Sequence, residues 1–275
     1  MKNLINKSIH ILREVKAQFK NPAVLWSTGK DSTTSLALIK MAFYGNIPFP
    51  VIHLDTGFKH PKIYEFRDRI ANLWNLDLMI GKNTDALNGG MSPEISKFKC
   101  CNALKTEALK QLLRQHKFDA LIMSIRRDEH EIRNIERYFS PRDKEFKWHI
   151  VRPKTEDEMK VGDTPFVSEQ NVELWDLYQT DFGSNCSHVR VHPILHWTEL
   201  DVWNFIRKEN LPINPLYFKG YRSLGCEPCT KPTAKVVNNI DDFIKNLELS
   251  NKKERDGRSQ DKEDTLRKLR AMGYM

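Results

Sequence analysis

The chain has 275 residues, of which 40% are hydrophobic and 29% are charged, which excludes a largely disordered protein and allows a sizeable core. The 44 lysines and arginines outnumber the 36 acidic residues and give a formal net charge of +8. This charge favours anionic partners such as nucleotides, oxyanions or nucleic acid, without choosing among them. The N-terminal segment has apolar residues at helical spacing rather than the continuous apolar run of an export signal. We therefore expect a cytoplasmic protein that does not enter a membrane.

After this N-terminal helix, strands and helices alternate along the first half of the chain. Short apolar runs predict strands, and apolar residues at a spacing of three and four predict the helices between them. The predicted strands are 22–26, 49–54, 76–80 and 120–125, and the helices that separate them centre on 36–43, 61–74 and 106–116. This alternation predicts a doubly wound, mostly parallel α/β sheet with helices on both faces. In such sheets ligands bind at the carboxyl ends of the strands.

The second half of the chain is less periodic. Residues 140–190 carry Pro, Gly, Asp and Lys without a clear repeat, and we interpret them as an irregular insertion near the site. Thr198 marks the start of the next helix. Residues 221–235 form the cysteine loop. The charge-dense tail at 251–268 is expected to be solvated. We therefore divide the chain into an ATP-binding α/β domain at 1–215 and an extension with the cysteine loop and charged tail at 216–275.

The segment at 27–32, called the phosphate loop below, follows the first strand and begins a helix. A helix N-terminus presents unpaired N–H groups and a partial positive charge, so it is suited to bind phosphate. The hydroxyls of Ser27 and Ser32 add donors, Gly29 allows a close backbone approach, and Lys30 adds a point charge. The G-x-x-x-x-G-K pattern of a Walker A loop is absent, which disfavours γ-phosphate chemistry.

Two further polar clusters follow strand ends. Asp55, Thr56 and Gly57 come directly after the second strand. Arg126 and Arg127 follow the fourth strand, and two more arginines come soon after it, at Arg133 and Arg137. Arginine is suited to bidentate recognition of oxyanions, so the arginine cluster is predicted to bind an acceptor oxyanion together with the α-phosphate.

These three clusters together resemble the signatures of the PP-loop ATP pyrophosphatases, S-G-G-x-D-S, L-D-T-G and R-R-D-E. Thr28 stands where the signature has its first glycine. The resemblance implies an adenine nucleotide alpha hydrolase-like fold that cleaves ATP between its α- and β-phosphates, with Mg²⁺ bridging phosphates. The residues expected to bind ATP are Ser27, Thr28, Gly29, Lys30, Asp31, Ser32, Asp55, Thr56 and Gly57. The residues expected to act in catalysis are Lys30, Asp31, Arg126 and Arg127.

Similarity to the sulfate adenylyltransferase subunit 2 family, which is related to the phosphoadenylylsulfate reductases, extends over most of the chain. It covers segments 64–69, 105–107, 196–201, 254–258 and 269–274. The resemblance implies adenylyl transfer from ATP to sulfate. It also implies a GTPase large subunit as partner, because the formation of adenylyl sulfate is strongly uphill.

Four of the five cysteines form a set that the common small subunit of sulfate adenylyltransferase does not have. Cys100, Cys101, Cys226 and Cys229 resemble the set that holds a [4Fe–4S] cluster in adenylylsulfate reductases. Zinc is the alternative metal, although two adjacent cysteines suit a tetrahedral zinc site poorly, and reduced cysteines in a packed loop are a third interpretation. Since no cysteine follows Cys229, the C-terminal nucleophile of those reductases is missing and reductase activity is not expected.

Three functional readings remain open from the sequence. The first is ATP sulfurylase chemistry with sulfate as acceptor. The second is an ATP pyrophosphatase that serves DNA phosphorothioation beside a cysteine desulfurase, with DNA as a partner. The third is a non-catalytic nucleotide-binding regulator, which the intact phosphate loop argues against. The sequence also leaves homo-oligomerisation open.

Overall fold

The computed structural model describes residues 1–130, 133, 136–148, 186–250, 253–258 and 272. Its centre is a six-stranded sheet with the order β3-β2-β1-β4-β6-β5. Every neighbouring pair is parallel except β5 and β6, which are antiparallel. The strands are β1 Pro22–Leu25, β2 Val51–Leu54, β3 Leu78–Gly81, β4 Ala120–Ile122, β5 Phe139–Arg142 and β6 His188–Val191. The predicted fold class, a mostly parallel α/β sheet, is confirmed.

Helices connect the strands. They are α1 Lys2–Gln18, α2 Lys30–Ala42, α3 Pro61–Leu73, α4 Thr84–Asn88, α5 Lys97–Cys101, α6 Ala108–His116, α7 Glu199–Lys208 and α8 Ile240–Glu248. A π-helical turn at Asn102–Glu107 joins α5 to α6. The predicted cap at Thr198 is present as a capping box, in which the Thr198 hydroxyl accepts a bond from the Asp201 amide and the Asp201 carboxylate accepts one from the Thr198 amide.

The sheet is buried on both faces. Successive residues of a strand point to opposite sides, so Val24 of β1 packs into one apolar cluster, whereas Ala23 and Leu25 pack into the other. Side chains of α1, α2 and α7 pack into the larger cluster, and side chains of α6 pack into the smaller one. Cover on both faces explains why the central strands β1 and β4 are short apolar runs without polar alternation.

The segment after residue 215 packs directly on this layer structure. The ring of Trp203 on α7 lies 5.0 Å from that of Tyr217 and 4.4 Å from that of Phe243 on α8. These aromatic contacts fix the cysteine loop and α8 against the core. The division of the chain at 215 and 216 stays a prediction.

Two expectations for irregular or solvated segments were wrong in part. Most of the predicted insertion at 140–190 lies outside the described residues, but both of its described ends belong to strands, β5 and β6. Sequence reasoning missed them because they are short and bury charged side chains such as Arg142 and Arg190. In the tail, Glu254 and Arg255 are buried rather than solvated, with 7% and 8% exposure. Within the described ranges, no helix is both long enough and apolar enough to cross a membrane.

Candidate active site

A cavity opens at the carboxyl ends of three neighbouring parallel strands. Its wall includes Leu25 at the end of β1, Leu54 at the end of β2 and Met123 directly after β4. The polar residues that line it come from the phosphate loop, the α5–α6 region, the fourth strand end, the cysteine loop and the tail. They include Ser27, Lys30, Asp31, Ser32, Lys105, Ser124, Glu129, Arg133, Tyr217, Cys226, Glu254, Arg255 and Arg258.

The phosphate loop is a tight turn between β1 and α2. Thr28 has φ of 67°, a left-handed conformation that a β-branched residue adopts rarely. The Ser27 and Ser32 hydroxyls lie 3.1 Å apart, and Ser32 also donates to the Gly29 carbonyl. Gly29 has an ordinary extended backbone, but a Cβ there would lie 3.4 Å from the Ser27 hydroxyl. The turn therefore gathers two hydroxyls at the N-terminus of α2.

Two buried cations and two carboxylates form a network at this turn. Lys30 Nζ lies 3.0 Å from Asp31 and 2.5 Å from Glu254, and Arg126 pairs with Asp31 at 3.1 Å and also with Glu254. Burial lowers the pKa of Lys30, but the Asp31 and Glu254 carboxylates outweigh this effect and raise it overall. The ammonium therefore stays charged. The structure thus brings Lys30, Asp31 and Arg126 together, as their predicted roles require.

The Asp55–Gly57 triplet turns away from this network. The Asp55 carboxylate accepts from the Gly57 amide at 2.8 Å and from the Tyr64 hydroxyl at 2.7 Å. Burial and this bond to Asp55 raise the pKa of Tyr64 to about 12. The Thr56 hydroxyl lies 3.1 Å from the Cys226 sulfur. The triplet therefore links β2 to α3 and to the cysteine loop, and its predicted role in ATP binding stays a prediction.

The four predicted oxyanion arginines occupy different places. Arg126 is fully buried behind Asp31, whereas Arg133 lines the cavity and pairs with Glu129. Arg127 donates to the Glu136 carbonyl at 3.1 Å. The backbone amide of Arg137 donates to the Ser140 hydroxyl at the same distance. Of the four, Arg133 is the one whose position fits direct contact with an anion in the cavity.

Sequence reasoning missed Glu254, Arg255 and Tyr217. Arg255 donates to Glu129 at 2.9 Å, so Glu129 lies between two arginines. Burial raises the pKa of Glu129, but Arg133 and Arg255 outweigh this and lower it. For Glu254 and Arg255 the sequence did hold one signal, the similarity of segment 254–258 to the sulfate adenylyltransferase subunit 2 family. A solvated tail has no physical reason to match a family, so this similarity indicated a buried role.

The four predicted ligand cysteines are buried in one neighbourhood. Burial, helped by the nearby thiols of Cys101, Cys226 and Cys229, raises the pKa of Cys100 to about 12. Burial also raises the pKa of Cys226, but Lys105, the bond to Thr56 and Lys59 outweigh it and lower the value. Cysteine sulfur is a donor that iron and zinc prefer, so the residue types suit such a group, although the raised pKa of Cys100 favours its neutral thiol. Among the described residues, however, no three His, Cys, Asp or Glu side chains are arranged to hold a metal ion.

Comparisons with known proteins place the chain in a family. Residues 21–232 match the family model described as the phosphoadenosine phosphosulfate reductase domain. The chain is 35% identical to sulfate adenylyltransferase subunit 2 of Aeromonas salmonicida, over 100% of this chain and 95% of that protein. It is 34% identical to the protein of the same name from Pseudoalteromonas translucida, over 100% and 98%.

Solved structures share the fold at low sequence identity. Phosphoadenylyl-sulfate reductase from Candida auris in a phosphate complex superposes with a TM-score of 0.57 at 16% identity, covering 82% of this chain and 90% of that one. FMN adenylyltransferase from Candida glabrata in complex with ATP gives 0.57 at 17% identity, covering 89% and 70%. At these identities the likeness concerns the fold alone.

The predicted family is thereby confirmed, and with it the predicted class of enzyme, a PP-loop adenylyltransferase of sulfur metabolism. The comparisons favour this reading over DNA phosphorothioation and over a non-catalytic regulator. The chain belongs to the sulfate adenylyltransferase subunit 2 family and is built on the phosphoadenosine phosphosulfate reductase domain.

Proposed function

We propose that this chain transfers the adenylyl group of ATP to sulfate, giving adenylyl sulfate and pyrophosphate. The observation that carries the proposal is the position of Lys30 and Arg126. Both are buried cations at the N-terminus of α2, next to the hydroxyls of Ser27 and Ser32. This turn offers the positive charge and the donors that a leaving pyrophosphate requires.

Catalysis in such a site depends on positioning and charge neutralisation. Sulfate attacks the α-phosphorus in line, the bond from the α-phosphorus to the bridging oxygen breaks, and pyrophosphate leaves with that electron pair. Lys30 and the first turn of α2 would stabilise the charge that develops on pyrophosphate. Arg133, which lines the same cavity, would hold the acceptor anion. No covalent intermediate with a side chain is needed.

Mg²⁺ is the expected companion of ATP. The Asp31 side chain remains 16% exposed beside the phosphate loop, so its carboxylate is the group suited to hold the ion. When bound, Mg²⁺ would neutralise phosphate charge. Asp31 would then exchange part of its pairing with Lys30 and Arg126 for the ion.

ATP–pyrophosphate exchange tests the proposed reaction. Exchange of labelled pyrophosphate into ATP should require sulfate, and Ser32→Ala or Asp31→Ala should abolish it. Ser92→Ala, outside the cavity wall, is the matched control and should retain it. Sulfate-independent pyrophosphate release that requires DNA or a cysteine desulfurase would instead support the phosphorothioation reading.

We further propose that Cys100, Cys101, Cys226 and Cys229 hold a [4Fe–4S] cluster. The support is their shared burial and mutual proximity. When bound, the cluster would supply a structural or redox centre next to the cavity, since Cys226 lines the cavity wall. Anaerobically purified protein should be brown and contain about four iron atoms per chain. Cys226→Ser should lose the iron and Cys186→Ser should keep it, whereas stoichiometric zinc without iron would contradict the proposal.

The relatives are subunit 2 of sulfate adenylyltransferase, which suggests a partner subunit. We propose a GTPase large subunit, because GTP hydrolysis can drive an uphill adenylylation. Coexpression of the chain with a GTPase large subunit of this enzyme family and measurement of GTP-stimulated adenylyl sulfate formation test this point. Copurification without any effect of GTP would contradict it.

A further inference from the structure

The tail segment, residues 253–258, places a carboxylate on the phosphate-binding cations. Glu254 Oε1 accepts from Lys30 Nζ at 2.5 Å, and Oε2 accepts from the Arg126 guanidinium. The Glu254 side chain is only 6% exposed. Its partners lie 224 and 128 residues earlier in the chain, so the contact depends on the tertiary fold rather than on local sequence.

These contacts neutralise Lys30 and Arg126 before any anion binds. Lys30 and Arg126 contribute two positive charges, and Asp31 and Glu254 contribute two negative ones. Burial raises the pKa of Glu254, but Arg126 and Lys30 outweigh this and lower it, so the carboxylate is ionised. An incoming phosphate group therefore meets Lys30 already paired with the Glu254 carboxylate, which Arg126 holds from behind.

The tail segment has a second attachment that does not involve these cations. Arg258 donates to the Ser223 hydroxyl at 3.1 Å and to the Leu224 carbonyl at 2.6 Å. The Lys231 amide donates to the Gly257 carbonyl at 3.0 Å. Glu254 can therefore leave Lys30 and Arg126 while the other end of the segment stays on the cysteine loop.

We propose that Glu254 is an internal competitor for the phosphate site, and that a polyanion must displace its carboxylate from Lys30 and Arg126 in order to bind. This proposal depends on the proposed function in one respect, namely that residues 27–32 are the phosphate site. It makes Glu254 a specificity-determining residue. Pyrophosphate and the triphosphate of ATP carry enough charge to replace the carboxylate, whereas a singly charged anion does not.

Calorimetric titration with pyrophosphate in EDTA tests the proposal without any metal ion. Glu254→Gln keeps the shape of the side chain and removes its charge. It should bind pyrophosphate about tenfold more tightly than the native chain at equal ionic strength. Glu248→Gln removes an equal charge from an exposed position on α8 and should bind as the native chain does. Equal or weaker binding by Glu254→Gln would overturn the proposal and make Glu254 a supporting residue.

Hydrogen–deuterium exchange on the native chain covers the case in which the variant folds poorly. The amides of Asp256 and Arg258 donate within the tail segment, at 3.3 and 2.8 Å. Pyrophosphate should speed their exchange and leave α8 unchanged, whereas unchanged or slower exchange contradicts displacement. Sulfate-dependent ATP–pyrophosphate exchange reports separately on the proposed function, so the failure of either idea can be distinguished.

Discussion

The hydroxyl of Tyr217 accepts a hydrogen bond from the backbone amide of Lys30 at 2.8 Å. The two residues are 187 positions apart, and both are almost fully buried. This amide is the first in α2 and has no partner within the helix. A residue from the segment that follows α7 therefore completes the N-terminus of α2 and fixes the turn against the core.

Tyr217→Phe should lower the free energy of unfolding by about 1–2 kcal/mol, because the buried Lys30 amide loses its acceptor. Urea denaturation of the native chain and the variant gives this difference. Tyr44→Phe is the control, because Tyr44 is 90% exposed, and it should change stability little. A Tyr217→Phe protein as stable as the native chain would show that another group can accept the bond.

Thr28→Gly should stabilise the chain by about 1 kcal/mol. The replacement relieves a β-branched residue at positive φ and removes a hydroxyl that has no hydrogen-bond partner within the described residues. The loss of a buried methyl group and the backbone entropy of glycine offset part of this gain. Thermal and urea unfolding measure the change. Thr34→Gly, in the interior of α2, should destabilise by at least about 1 kcal/mol, and the same sign for both variants would contradict the strain argument.

Lys30 and Glu254 should show strong coupling in a double-mutant cycle. Lys30→Met removes one of the two cations that pair with the buried carboxylates of Asp31 and Glu254. It should lower the free energy of unfolding by about 3 kcal/mol or more. Glu254→Gln in the same chain should recover part of that loss, with a coupling energy of about 1–3 kcal/mol. Both proteins should lack ATP–pyrophosphate exchange, because Lys30 is absent in each. Strict additivity of the two stability changes would show that the pair does not interact.

Acid should destabilise the chain partly through His53. This side chain is fully buried and its Nδ1–H donates to the Trp26 carbonyl at 3.0 Å. Burial, followed by the charges of Lys59 and Arg67, lowers its pKa to about 2. Because the unfolded chain takes up the proton near pH 6.5 and the folded chain does not, stability is lost as pH falls below 6.5. The loss from this residue should reach about 2 kcal/mol by pH 5.

Urea denaturation between pH 7.5 and 5 measures this dependence. His53→Asn keeps a donor for the Trp26 carbonyl and cannot be protonated, so its stability should fall less steeply with acid. His10→Asn, at an exposed position on α1, should keep the slope of the native chain. An unchanged slope in His53→Asn would contradict a neutral, buried His53.

The parts of the fold that sequence patterns predicted are local ones. The strand, turn and helix around 22–42 follow from an apolar run, a serine-rich turn and helical spacing, all within 20 residues or so. The strand ends of a parallel sheet meet at one edge, so the clusters at 27–32, 55–57 and 126–129 are expected to share one site. The first and the third do meet, through Lys30, Asp31 and Arg126, whereas the 55–57 cluster contacts α3 and the cysteine loop.

The parts that were missed depend on distant contacts. Glu254 reaches Lys30 across 224 positions, and charge density alone predicts solvent exposure for such a tail. β5 and β6 bury arginines and a histidine, so their sequences lack the apolar signature of the other strands. Burial of charge requires a partner that only the tertiary fold supplies, so periodicity within a short window cannot reveal it.

Two glycines allow the tail segment to lie against the cysteine loop. A Cβ on Gly257 would sit 2.3 Å from the Lys231 carbonyl, and one on Gly225 would sit 2.7 Å from the Arg258 guanidinium carbon. Replacement of Gly257 would force the two backbone segments apart, whereas replacement of Gly225 would displace the Arg258 side chain from Ser223 and Leu224. A chain shortened before Lys253 would likewise leave the Lys231 amide without its acceptor and open one wall of the cavity. The segment at 253–258 is therefore part of the folded core of the site and a poor place for truncation.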